Sequence, residues 1–78
     1  MIPAARIDDL LSELCTELGY CLPRIERERL IAAPWTTAEE FARAVFAAEG
    51  MTPESATKAA WRQVLERVTR AFEREGPV

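Results

Sequence analysis

Acidic, cationic and thiol side chains are the residues of this 78-residue chain that could carry chemistry, and histidine is absent. Carboxylates act as general acids or bases only where burial or a convergent pocket shifts their pKa values. Here they pair with cations at helical spacing, as Glu66 does with Arg70, which is typical of a solvated helix face. The missing histidine removes the commonest general base and metal ligand. We therefore predict no enzyme activity, catalytic residue, metal ion or cofactor.

The two cysteines, Cys15 and Cys21, lie on either side of a predicted turn. Their spacing matches no common zinc or redox motif, and no second pair of ligands completes a four-ligand site. The N-terminal segment carries Asp8, Asp9 and Glu13 where a signal peptide would need an apolar core, so we expect a cytoplasmic protein. In the cytoplasm the default state of both cysteines is a reduced thiol, and the sequence leaves a redox role open.

Three arginines, Arg67, Arg70 and Arg74, align along one flank of a predicted C-terminal helix. They could form a docking strip for an acidic partner or phosphates, or they could be an ordinary solvated flank. Glu66 and Glu73 on the adjacent flank would weaken any attraction to DNA. The net charge is −3, and no run of about 18 apolar residues exists, so we expect neither nucleic acid nor a membrane as partner.

Three apolar residues lie off the predicted core faces. Phe46 is on the far side of the third predicted helix, Ile31 is off the face of the second, and Trp35 lies in a connector. Each could be a core residue, because a helix in a small bundle can touch two neighbours. If several share a surface, they would form a site for another protein or for a second copy of the chain. The candidate partner-binding residues are Phe46, Trp35, Ile31, Arg67, Arg70 and Arg74.

Four helices with short connections must position these residues, at approximately 3–18, 23–32, 37–49 and 53–75. Gly19 and Gly50 fit helix ends, and Thr36 or Thr37 can form a capping box with the glutamate three residues on. No stretch alternates polar and apolar residues for long, so no strand is expected. We predict one all-α domain over residues 1–78, a small four-helix bundle or an orthogonal helical array.

The predicted core faces follow the 3.6-residue period of an α-helix. The faces of the first and last helices are the most regular, so we expect these two helices to form the main hydrophobic contact. The core faces are Ile7, Leu10, Leu11, Leu14 and Leu18; Leu22, Ile25 and Leu30; Phe41, Ala44, Val45 and Ala48; and Trp61, Val64, Leu65, Val68 and Phe72.

The third helix, the turn at Gly50 and the start of the last helix also invite comparison with a helix-turn-helix motif. A recognition helix carries Arg, Lys, Asn or Gln at its N-terminal end. Here that end, residues 53–58, offers one glutamate and one lysine. A helix-turn-helix DNA-binding regulator is therefore the alternative function.

The segments Leu14–Pro23 and Ala44–Gly50 resemble short uncharacterised helical proteins of high-GC actinobacteria. The resemblance implies a cytoplasmic bacterial setting and transfers no site residues. The function that we expect is a small non-enzymatic protein–protein interaction module, such as an adaptor, a regulatory subunit or an inhibitor-like protein. Its partner would be another protein or the chain itself, as a homodimer.

Overall fold

The computed structural model describes residues 2–51, 54 and 57–74. Four α-helices follow one another along the chain, and no strand occurs among the described residues. The all-α fold class is confirmed, and the first three helices agree with their predicted bounds to within one residue. The helices are α1, Ala4–Leu18; α2, Arg24–Ala32; α3, Ala38–Ala48; and α4, Lys58–Arg74.

The fourth helix begins later than its sequence pattern predicts. α4 begins at Lys58, and the hydroxyl of Thr57 accepts a hydrogen bond from the backbone N–H of Ala60 at 3.1 Å. This bond satisfies a donor of the first turn, so Thr57 caps the helix. The predicted start at residue 53 is wrong, because Glu54 and Thr57 are not helical. The expected cap at residues 52–53 lies outside the described residues.

The ends of α3 follow the capping signals in the sequence. Of the two possible capping boxes, the helix uses Thr37 with Glu40: the Thr37 hydroxyl accepts from the Glu40 backbone N–H at 3.2 Å. At the other end Gly50 adopts a left-handed φ of 78°. The N–H of Met51 then reaches the carbonyl of Phe46 at 2.8 Å, which closes a Schellman motif.

The four helices pack in a ring, in which each helix contacts the next and α4 returns to α1. The contact between α3 and α4 is the most extensive, and the contact between α2 and α3 is the smallest. The prediction that the first and last helices form the main contact is therefore wrong. The physical reason is that two aromatic ring pairs, Phe41–Phe72 and Phe46–Trp61, join α3 to α4.

The buried face of α3 consists of Phe41, Ala42, Val45 and Phe46, none of which has any exposed surface. This face is rotated from the predicted one toward Ala42 and Phe46, and the predicted members Ala44 and Ala48 are only half-buried. Because of this rotation α3 contacts two neighbouring helices, whereas the prediction assumed that its apolar residues form one narrow face toward one neighbour. Phe46 is thus a core residue.

All six aromatic residues of the chain belong to two clusters, each built around one phenylalanine of α3. Offset and edge-to-face ring pairs at these separations are favourable. The rings of Trp35 and Phe72 lie 5.3 and 5.9 Å from Phe41, and those of Tyr20 and Trp61 lie 5.7 and 5.2 Å from Phe46. The two clusters explain why α3 and α4 share the largest contact.

The second helix contributes one buried residue, Leu30. Ile25, which the sequence places on the same face, is 67% exposed. Five residues separate the two, which turns Ile25 about 140° around the helix from Leu30. The prediction of Ile25 as a core residue is therefore wrong, and α2 presents an isoleucine to solvent.

The two cysteines form a disulfide between Cys15, in the last turn of α1, and Cys21 in the α1–α2 connector. Gly19, with a φ of 83°, turns the chain back after α1, and the Cα atoms of the two cysteines lie 4.2 Å apart. The expectation of two reduced thiols is wrong. That expectation rested on the predicted cytoplasmic location, whereas the turn at Gly19, which the sequence does predict, brings the two cysteines within bonding distance.

Candidate protein-binding site

Arg67 lies between two glutamates of α1. Its guanidinium donates to the carboxylate of Glu13 at 2.9 Å and also to that of Glu17. The hydrogen bond to Glu17, followed by that to Glu13, raises the pKa of Arg67 above its usual value. Arg67 therefore ties α4 to α1, and this pairing accounts for its charge within the chain itself.

The other two arginines of the predicted strip face different surroundings. Arg74 borders a cleft between α1 and α4 that also contains Asp9 and Glu13. Arg70 lies on the outer face of α4, beside Glu66 and Glu73. The structure therefore does not bring the three arginines together as one free cationic surface. A role of Arg70 or Arg74 in partner binding stays a prediction.

The three apolar candidates are also separated. Phe46 is completely buried, so its assignment to a binding surface is wrong. Ile31 is half-buried and borders a shallow depression between α1 and α2, together with Ala4 and Ala5. Trp35 is half-buried and lines a different groove, between α2 and α3. The groove that Trp35 lines is the one in which the candidate lies beside three alanines of a single helix, Ala44, Ala47 and Ala48.

The α2–α3 groove has a volume of about 500 Å³ and a floor of small side chains. Ala44 and Ala48 are half-buried and Ala47 is exposed, so the methyl groups of α3 are open to a partner. The groove lies between α2 and α3, the two packed helices that contact each other least. Its lining residues are Glu26, Arg29, Leu30, Ala33, Trp35, Ala44, Ala47 and Ala48.

The tryptophan at one end of the groove is held by two contacts. Its indole N–H donates to the backbone carbonyl of Leu30 at 2.7 Å. Its ring also meets Phe41 edge-on, at 5.3 Å and an interplanar angle of 85°. Because the first contact fixes the polar tip and the second fixes the ring, Trp35 is a rigid wall between the end of α2 and the start of α3.

Two charged residues of α2, Glu26 and Arg29, border the groove and contact each other at 3.5 Å. They give this border both signs of charge and no net charge. Nothing in this arrangement resembles a catalytic constellation, since no nucleophile or second carboxylate converges on the floor. An open apolar floor with a mixed-charge border is instead suited to binding a helix from a protein.

Two further structural findings concern metals and membranes. Among residues 2–51, 54 and 57–74, no three His, Cys, Asp or Glu side chains come close enough together to hold a metal ion. None of the described helices combines the length and the apolar character that crossing a bilayer requires.

The sequence did not reveal the groove, although a signal for it exists. Ala44, Ala47 and Ala48 recur at i, i+3 and i+4, so they lie on one flank of α3. We assigned two of them to the core because their spacing matched Phe41. The exposure of Ile25 was missed for a different reason: its five-residue spacing from Leu30 turns the two side chains about 140° apart, so they do not share the core face on which the prediction placed them.

The helix-turn-helix alternative depends on the segment before α4. The first helical residue is Lys58, so the segment expected to read DNA precedes the helix, and residues 52, 53, 55 and 56 lie outside the described part. DNA binding stays a prediction.

Comparison with known proteins identifies no relative: no family model, curated protein or solved structure matches this chain.

Proposed function

We propose that this chain is a small non-enzymatic protein–protein interaction module and that the α2–α3 groove is its binding surface. The observation that carries the proposal is the open alanine floor of this groove, bordered by Trp35. The module would act as an adaptor, a regulatory subunit or an inhibitor-like protein, by binding a helix of its partner in this groove.

Small side chains on the floor allow a partner helix to approach closely. Packed helices lie roughly 8–10 Å apart, and the shorter distances require small residues at the contact. The three alanines of α3 provide this over slightly more than one turn, and larger side chains of a partner could fill the space between α2 and α3. Trp35 supplies a rigid aromatic surface at one end, which is the kind of residue that anchors protein interfaces.

The cytoplasmic location is part of the proposal and derives from the sequence. The Cys15–Cys21 disulfide is the observation against it, because disulfides persist mainly in oxidising compartments. The proposed binding surface does not depend on the compartment, since neither cysteine lines the groove.

Site-specific photo-cross-linking tests the proposed surface. A photoreactive amino acid is placed at Ala47, on the groove floor, and a matched one at Ala59, an exposed alanine of α4 outside the groove. Cross-linked protein is identified by mass spectrometry, purified and titrated against the wild-type chain and against Ala47→Arg by calorimetry. The arginine fills the groove and is compatible with a helix.

The proposal predicts a protein adduct from position 47 that is absent from position 59, and binding that Ala47→Arg abolishes. Equal adducts from both positions, or binding that Ala47→Arg leaves unchanged, would overturn it. Adducts from neither position would also count against the proposal.

A further inference from the structure

We propose that the partner in the α2–α3 groove is a second copy of this chain, bound across a two-fold axis. This inference rests on the proposed function of the groove and names its partner. A two-fold interface needs one surface that carries both a projection and the depression that receives it. The surface around α2 meets this requirement.

The projection is Ile25, the one large apolar side chain that is strongly exposed in the part of the chain that the structure describes. Ile25 does not line the groove and is turned about 140° from Leu30, but it lies one helical turn before Arg29, so it stands on the outer crest of α2 beside the groove border. The depression is the floor formed by Ala44, Ala47 and Ala48. In a two-fold pair, Ile25 of each copy enters the floor of the other, and both apolar surfaces leave water together.

The charges at the groove border are also self-complementary. Glu26 and Arg29 lie three residues apart on α2, with side-chain exposures of 34% and 70%. When two copies of α2 meet in antiparallel orientation, Glu26 of one copy faces Arg29 of the other, and the reciprocal pair forms as well. The intrachain contact between them is long, at 3.5 Å, and is readily exchanged for contacts between copies. Binding of an unrelated protein would not require Glu26 and Arg29 to be complementary to each other.

The size of the surface sets the expected strength. α2 has nine residues and α3 has eleven, so the face is roughly 13–17 Å long. Two such faces bury an area at the small end of specific interfaces, below about 1,200 Å² in total. We therefore expect a reversible dimer with a dissociation constant on the order of 10–100 μM.

Sedimentation velocity of the purified chain, from about 1 μM to about 1 mM, tests the inference. We expect a monomer–dimer equilibrium. Ala47→Arg fills the floor and Ile25→Lys removes the projection, and each should weaken dimerisation at least about tenfold. Ala59→Arg, the same change at an exposed alanine outside the groove, should leave the equilibrium unchanged. Circular dichroism verifies that each variant is folded.

A charge-exchange experiment tests the two-fold arrangement. Glu26→Arg and Arg29→Glu should each weaken self-association, because each places like charges opposite one another in the pair. An equimolar mixture of the two variants should form a heterodimer, since every facing pair then carries opposite charges. The doubly substituted chain, Glu26→Arg with Arg29→Glu, should dimerise like the wild type.

Two results would overturn the inference: a monomer at all concentrations, or a dimer that Ala47→Arg and Ile25→Lys do not weaken. Failure of the mixed variants to form a heterodimer would contradict the two-fold arrangement. These results are separable from failure of the proposed function. If position 47 cross-links to a different protein while the chain remains monomeric, the groove is a binding surface and the second copy is not its partner.

Discussion

Replacing Phe46 by alanine should severely destabilise the domain. Phe46 has no exposed surface, and its ring lies 5.7 Å from Tyr20 and 5.2 Å from Trp61. Truncating a buried phenylalanine costs about 3–5 kcal/mol, which includes the lost ring contacts and the cavity left behind. A chain of 78 residues has a free energy of unfolding of roughly 4–12 kcal/mol, so the change removes a large part of it.

Urea denaturation provides the measurement, with tryptophan fluorescence as the probe because Trp61 is a neighbour of Phe46. A chain this short should lose about 1–1.5 kcal/mol per molar urea, the low end of the range for small proteins, so the midpoint should fall by about 2–5 M. Phe46→Leu keeps most of the apolar volume and should cost about 1–2 kcal/mol, which leaves a folded variant to analyse.

The matched control is Ile25→Ala, which truncates an exposed apolar residue and should change the stability by less than about 0.5 kcal/mol. The reasoning is refuted if Phe46→Ala costs less than about 1 kcal/mol and instead alters self-association. That result would make Phe46 a surface residue, as one sequence-based hypothesis proposed.

Three further predictions concern the helix connections. Reducing the Cys15–Cys21 disulfide, or replacing both cysteines by serine, should lower the free energy of unfolding by about 2 kcal/mol, the value for a closed loop of this length. Urea denaturation with and without reductant measures the loss. No loss would mean that the bond does not form in solution. Gly19→Ala should lower the free energy of unfolding by about 1 kcal/mol, because a φ of 83° is unfavourable for any residue with a side chain, even though nothing lies within 4 Å of the added carbon. Thermal unfolding measures this loss, and an unchanged melting temperature would contradict the left-handed conformation. Arg67→Gln should lower the melting temperature, more at low salt than at high salt, whereas Arg70→Gln should not. Since the folded-state pKa of Arg67 is raised, the stabilisation by Arg67 is fully present below the ordinary arginine pKa. The difference in melting temperature between wild type and Arg67→Gln should therefore stay constant between about pH 6 and about pH 9. A pH-dependent difference in this window would contradict the prediction.

The helices and most of their ends were predictable because their signals are local. Gly19, Gly50 and the Thr37–Glu40 box act within a few residues of the chain, and each does so in the structure. The start of α4 was not predictable in the same way. A threonine followed by proline at residues 52–53 and a single threonine at Thr57 are both plausible caps, and the sequence offers no measure of which one is used.

The packing of the helices was less predictable because it depends on neighbours distant in sequence. A periodic pattern shows that α3 has an apolar face, but its alanines satisfy the pattern almost as well as its phenylalanines do. The larger rings determine the outcome, since each brings aromatic partners from other segments. The alanines are thereby displaced to the flank, where they form the groove. The disulfide was missed because the expected cytoplasmic location made reduced thiols the default, although the turn at Gly19 was itself predictable.

The most direct test of a self-associating α2–α3 groove is a dilution series of ¹⁵N-labelled protein followed by amide chemical shifts. The account predicts concentration-dependent shifts at Ile25, Arg29, Ala44, Ala47 and Ala48, with the outer face of α4 unaffected. Shifts confined to Leu65, Thr69 and Arg70 on that outer face would contradict it, and so would a spectrum that does not change with concentration.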